Sequence, residues 1–388
     1  MKKILTKAFF HPEKCELIHN ACIEADENFY KVKEKTPRQI QIDRLEDDNT
    51  VEVVDLSRFY VIPALIDAHV HLYLDGKGQA NPATDYKYKP ISEELLLGRL
   101  SNIYSFGIGA VRDGGDVKGI GLKGKELSNN SGSPLVIACG EGIRKKDYYG
   151  SFLGKGLEGS KASTQKKVET LVKNDIDQLK LIINGVVSFK EYGKVGKLQF
   201  SFRELEEIVN LAKSFNLPVM AHVNSEEYIK LAISAGVHSI EHGYFISKKL
   251  LLEMAKTDIY WVPTVTPIYN QQNKGFLRQN LNRQQKKIIR QLYTEQLSMI
   301  GEAINLGVKV GIGTDAGAMG VEHGSDFFQE LELFQMAGLD NKSILQSACK
   351  INREVLGISQ DKNLGFLALA DNPLNNLGAV KKPVRIIR

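Results

Sequence analysis

The chain has 388 residues, of which 43% are hydrophobic and 25% charged, with 51 basic residues against 46 acidic ones. That length suits a large domain with an appendage, and the composition is that of an ordinary globular protein. A formal net charge of +5, with no basic run interleaved with aromatics, argues against a nucleic-acid partner.

No stretch reaches the ~18 apolar residues that span a bilayer, and no long apolar core follows Met1-Lys2-Lys3. Cys15, Cys22, Cys139 and Cys349 are scattered without CxxC spacing. A cytoplasmic protein without disulfides or membrane contact is therefore expected.

In chain order, residues 1–60 read as short polar strands, with Asp47-Asp48-Asn49 as a turn signal. From Val61 short apolar runs alternate with amphipathic stretches, the texture of βαβ units. Eight strands are predicted: Val61–Leu72, Gly109–Arg112, Leu135–Cys139, Leu179–Ile183, Val219–Val223, Ser239–His242, Tyr260–Val265 and Lys309–Thr314. Helices are predicted over Phe202–Asn216, Glu226–Ala235, Lys248–Lys256, Asn282–Leu306, Phe327–Met336 and Lys342–Leu356. Segments after strands are long (Tyr73–Pro90, Glu141–Ser163, Asn184–Gln199, Thr266–Asn280), whereas those before strands are short.

This is the asymmetry of a (β/α)8 barrel working at its C-terminal face, here assigned to residues 61–358. An open doubly wound sheet fits less well, because no GxGxxG follows a strand. Residues 359–388 end in Val384-Arg385-Ile386-Ile387 and are expected to join residues 1–60 in one small β-sandwich domain.

Four of the eight histidines close an apolar strand. His69 and His71 stand two apart, so in a strand both imidazoles project to one face, where a pair of neutral imidazoles can grip a metal ion. His222 ends Pro218–Ala221, and His242 ends Ser239–Glu241. Each, taken singly, reads more readily as a hydrogen-bonded core histidine. Asp315 follows Val310–Thr314, and a carboxylate there needs a partner. Lys180 sits within Leu179–Ile183, where an ammonium must find a counter-ion, lose its proton or be modified.

Together these motifs resemble the amidohydrolase superfamily, nearest its imidazolonepropionase-related and prolidase-like, lysine-bridged members. The likeness is carried by Ile62–Leu72 with its Asp67-Ala68-His69-Val70-His71, by Ala110–Asp113, Lys180, His222, Ala235–Gly243 and Gly313–Gly317. The resemblance implies two divalent ions, zinc being the expected metal. His69, His71 and Asp315 would hold the buried ion, His222 and His242 the more exposed one, and a carboxylated Lys180 would bridge them. A water acidified by the ions would attack an amide or cyclic amide C–N bond, and Asp315 would act as the catalytic base.

The substrate implied is a small molecule, foremost a small peptide or N-acyl amino acid. The alternatives are a one-metal cyclic-amide hydrolase or deaminase, and a silent barrel kept as an assembly scaffold. Arg112, Tyr149 and His323 are candidate substrate contacts, a buried pair with Asp113 or Asp116 being an equal alternative for Arg112, and Tyr148 shares the Tyr149 loop. His238, at the other strand end, and His11 and His19, in the β-domain, read as structural. Two departures stand out: Ala64 replaces a usual glycine, and no apolar strand follows directly after Asp371. A homo-oligomer is compatible with all of this.

Overall fold

The computed structural model describes residues 1–45, 51–77, 91–128 and 132–387. The Asp47-Asp48-Asn49 turn and most of the Tyr73–Pro90 segment lie outside these residues. The N-terminal polar runs form β1 (Lys2–His11), β2 (Glu16–His19), β3 (Ala21–Ala25), β4 (Tyr30–Glu34) and β5 (Glu52–Pro63). Asn20 turns β2 into β3 with φ at 49°, a left-handed conformation that asparagine tolerates.

The apolar run expected as a single strand from Val61 to Leu72 belongs to two sheets. Val61, Ile62 and Pro63 finish β5, and the chain then passes Ala64 into β6 (Leu65–Val70). A continuous apolar run carries no mark of the place where a chain changes sheets.

The other expected strands form β7 (Ile108–Asp113), β8 (Leu135–Ala138), β9 (Leu179–Ile182), β10 (Val219–Val223), β11 (Ser239–His242), β12 (Tyr260–Val262) and β13 (Lys309–Val310). All pair in parallel, in two arcs ordered β6-β7-β8 and β9-β10-β11-β12-β13. Hydrogen bonds run between the arcs at both ends. Ile143 N donates to Lys180 O at 2.8 Å beyond β8, and Ala68 N to Ile312 O at 2.9 Å beyond β13. Asn352 adds a side-chain stitch, its Nδ2 donating to Ile66 O at 2.5 Å and Ile312 O at 2.8 Å. Parallel strands covered on both faces read as near-continuous apolar runs, and β6, β7, β9, β10 and β11 are buried at every residue.

Helices cover the strands where the 3.6-residue period placed them. Glu226–Ala235 and Phe327–Met336 match to the residue. Phe202–Ser214 opens with a capping box between Ser201 and Glu204. The loop expected over Thr266–Asn280 is instead two helices, Thr266–Asn273 with proline in its first turn and Gly275–Arg278. Their mostly polar residues hid the periodicity.

After the last helix the chain forms β14 (Phe366–Leu369), a 3₁₀ turn at Leu377–Lys381, and β15 (Arg385–Ile387). β14 pairs antiparallel with β5, and β15 with β14. Among the described residues, the expected sandwich is thus one seven-stranded sheet ordered β15-β14-β5-β1-β3-β4, with β2 on β1. Its own core holds Phe9, Tyr30 and Phe366, the last two edge-to-face at 5.1 Å. All four cysteines are free and buried, and no helix of the described residues is long and apolar enough to cross a membrane.

Candidate active site

The C-terminal ends of the parallel strands bring the expected histidines, lysine and aspartate to one place. Bare ligand atoms of His69, His71 and Asp315 all lie within 4.8 Å of one another. His71 Nε2 is 3.3 Å and His69 Nε2 3.6 Å from Asp315 Oδ1. The His242 ring centroid lies 5.1 Å from that of His69 and 4.6 Å from that of His222. Lys180 Nζ is 3.4 Å from His69 Nε2.

The backbone makes this convergence possible at cost. His242, Thr264 and Asp315 leave their strands with φ at 65°, 46° and 57°, a left-handed conformation rare outside glycine. Close approach does the rest. A Cβ on Gly313 would meet His69 N and Cβ at 2.8 Å, so only glycine lets that segment lie against His69.

Each imidazole has one nitrogen tied to the protein. His69 Nδ1 is 2.7 Å from Glu241 Oε2 and donates to it, His71 Nδ1 points to Gly115 O at 3.3 Å, and His242 Nδ1 is 2.6 Å from Thr264 Oγ1. The Gly185 carbonyl accepts from the His222 ring, whose Nε2 is buried without a partner among the described residues. Tying one nitrogen leaves the other as a lone pair aimed inward, the state a metal ligand requires.

Electrostatics favour the neutral form of His69, His222 and His242. Burial, then the nearby Lys180 charge, pushes His222 down to about 3 and His69 well below its ordinary value. Burial, then His222, does the same to His242. Lys180 is itself 1% exposed, and burial lowers its pKa against the pull of Glu241.

Two expected substrate contacts are not at the surface of this site. Arg112 is fully buried beneath it: Nε donates to Ala68 O at 2.6 Å, Nη1 to Ser239 Oγ at 2.8 Å, and Nη2 to both Glu241 oxygens at 2.7 and 2.8 Å. Every donor faces the protein, so the guanidinium orients Glu241 and hence His69. His323 is buried behind His71 and donates Nε2–H to His71 O at 3.1 Å. Tyr149, by contrast, lines the cavity with its ring 5.4 Å from that of His222. Tyr148 faces outward, and His238 donates to Val355 O at the opposite strand end.

Glu241 was missed, although its signal was in the sequence. A carboxylate two residues after Ser239, inside an apolar strand, demands a buried partner, and Arg112 made the same demand in reverse. Tyr244 was missed too. It is 4% exposed, lines the cavity, and its hydroxyl has no partner among the described residues.

The amidohydrolase family model matches residues 60–365, and the chain belongs to that family. It is a hydrolytic enzyme. More particularly, its structural neighbours are prolidase-like amidohydrolases. An Xaa-Pro dipeptidase with bound methionine superposes with a TM-score of 0.81 at 20% identity, over 100% of this chain and 98% of that one. A prolidase complexed with N-methylphosphonate-L-proline gives 0.80 at 20% identity, over 99% and 96%. The ochratoxinase of A. niger gives 0.77 at 18%, over 99% and 93%. Such likenesses establish the shared fold. In sequence, an uncharacterized protein of Mycobacterium tuberculosis (strain ATCC 25618 / H37Rv) is 25% identical over 336 residues, 84% of each chain.

Proposed function

We propose that the chain is a metal-dependent hydrolase that cleaves an amide C–N bond of a small molecule at the mouth of a (β/α)8 barrel. The observation that carries this reading is the convergence of the His69, His71 and Asp315 ligand atoms within 4.8 Å, with both imidazoles fixed from behind. The donor set fits divalent ions such as zinc: bare imidazole nitrogens, a carboxylate, and a buried amine for which the ammonium form is disfavoured. In this reading His69, His71 and Asp315 hold one ion, and His222 and His242 the other. Lys180, if carboxylated on Nζ, would help to hold them. Bound ions would supply Lewis acidity toward the scissile carbonyl and acidify the attacking water.

The remaining work falls to the chain. Asp315, 16% exposed through its side chain, takes a proton on its carboxylate and returns it to the departing amine. The unpartnered Tyr244 hydroxyl donates to the substrate's carbonyl oxygen. Arg112 and Glu241 hold His69 in one tautomer. A cavity of ≈ 450 Å³ in front of these groups accommodates a compact substrate, and a small peptide or N-acyl amino acid is the expectation carried from the sequence.

A second reading has a specific observation behind it: only the His69, His71 and Asp315 triad meets a strict ligand spacing among the described residues, as a one-metal enzyme requires. Elemental analysis of gently purified protein, with amide turnover measured before and after chelation, tests both. About two divalent ions per chain, and turnover that returns on adding metal with bicarbonate, support the proposal. A value near one that added metal does not raise favours the one-metal reading. Turnover indifferent to chelation sinks both.

A further inference from the structure

His242 stands at the centre of a tight turn. Gly243 N donates to Glu241 O at 2.8 Å across it, and with φ at 65° this is the strained hand of the γ-turn. Such a conformation persists only where its surroundings over-determine it. The next residue must be small as well, because a Cβ on Gly243 would meet Trp261 Nε1 at 2.6 Å.

The His242 carbonyl shows what holds the turn. It accepts from Trp261 Nε1 at 3.0 Å, on the adjoining strand, and from Gln296 Nε2 at 2.5 Å, on the helix Arg283–Asn305. Gln296 Nε2 also reaches Pro263 O at 3.4 Å, next to Thr264, whose hydroxyl meets His242 Nδ1. One side-chain amide therefore touches both segments that fix this imidazole, the turn that carries it and the strand end that orients its ring.

The position of Gln296 on its helix makes the same point. It is 2% exposed and lies on the buried face between Leu292 and Ile300, one turn to either side. Packing alone would favour an apolar residue there, and a buried amide is unfavourable unless its hydrogen bonds are made.

We infer that Gln296 is a positioning residue for the candidate metal centre: with Trp261 it clamps the His242 carbonyl, keeps the strained turn closed, and so aims the imidazole at its ion. The inference rests on the reading of His242 as a metal ligand.

The test is Gln296→Met, which keeps the reach and packing of the side chain and removes both donations. Metal-free full-length chain in bicarbonate is titrated with zinc against a chromophoric chelator. Separately, without metal, the indole N–H of Trp261, the single tryptophan, is followed as one proton–nitrogen resonance. Ile300→Ala, a cavity on the same helix face, is the control for lost stability. Gln296→Met is expected to weaken one ion by about ten-fold or more, the scale for partners behind a ligand, to spare the other, and to move the indole resonance. The weakened ion should be the one that His242→Ala removes, and Ile300→Ala should leave both affinities and the resonance unchanged. Gln296→Asn, which keeps the amide but withdraws it by one methylene, should show the same selective loss and serves if the methionine variant does not fold. Both ions held as in the unsubstituted chain, both weakened equally, or the same losses in Ile300→Ala would overturn the inference. A chain that binds one zinc ion or none before substitution defeats the two-ion reading instead. The clamp is then judged on the indole alone, where an unmoved resonance in Gln296→Met overturns it.

Discussion

Arg112→Met is the substitution whose consequences the structure defines most fully. Methionine keeps much of the aliphatic stem but removes every hydrogen bond to Ala68, Ser239 and Glu241. Glu241 is then left as a fully buried carboxylate whose remaining neighbours include Ser239 and His69. Removing one partner of such a pair costs about 3–5 kcal/mol, a large part of the roughly 5–15 kcal/mol that holds a domain folded. Replacing both partners, as Arg112→Met with Glu241→Leu, should cost less than the sum of the single changes, because no charge is left unpaired. The single tryptophan, Trp261, is a convenient reporter: it is fully buried and its Nε1 donates to His242 O at 3.0 Å. Urea titrations followed by its fluorescence and by circular dichroism measure the loss. A change within about 1 kcal/mol for Arg112→Met would refute the view that this pair underpins the site.

Other outcomes follow from the same geometry. Asp315→Asn should lower turnover by roughly 10²–10⁴-fold, since an amide neither accepts nor returns the proton; near-normal turnover would remove Asp315 as the base. Lys180→Ala should lose metal and activity together, and short carboxylic acids should restore part of both, whereas unchanged metal content by elemental analysis would refute a bridging role. Glu241→Gln should weaken metal binding about 10–100-fold, read by competition with a chelator; unaltered affinity would mean that His69 needs no carboxylate behind it. Burial holds His323 down to about 3 against 6.5 when unfolded. The unfolded chain therefore takes up a proton that the folded chain refuses, so stability is full above about pH 6.5 and falls as the pH drops toward 3. His323→Gln should flatten that fall by up to one proton in acid titrations of stability, and an identical slope would be a refutation.

Strand positions were legible because buried parallel strands leave short, unmistakable apolar runs. Val219–Val223 and Ser239–His242 stand where expected, and the histidines that close them converge. Depth was not legible. Arg112 and His323 both follow or end strands near the mouth, and nothing local distinguishes a side chain that reaches outward from one folded under its neighbours. That difference arises from pairings distant in sequence, such as Arg112 with Glu241 and His323 with His71. The change of sheet at Ala64 was hidden for the same reason, because Val61–Pro63 and Leu65–Val70 are equally apolar and only their partners differ. The first helix in Thr266–Asn280 also escaped notice because its start is held by Glu330 of the distant helix Phe327–Met336, whose carboxylate accepts from Val265 N, Thr266 N and Thr266 Oγ1.

The terminal sheet sets the order in which the molecule can be finished on the ribosome. β5 is made early, yet one of its two neighbours is β14, with Ile62 opposite Leu367 at the far end of the chain. At ~5–20 residues per second of synthesis, β5 waits on the order of 15–60 s with one edge unpaired. An unpaired strand edge of this length invites pairing with other nascent chains. Output of soluble protein should therefore respond to elongation speed and to chaperones that shield strand edges, and truncation before Phe366 should leave that edge open permanently.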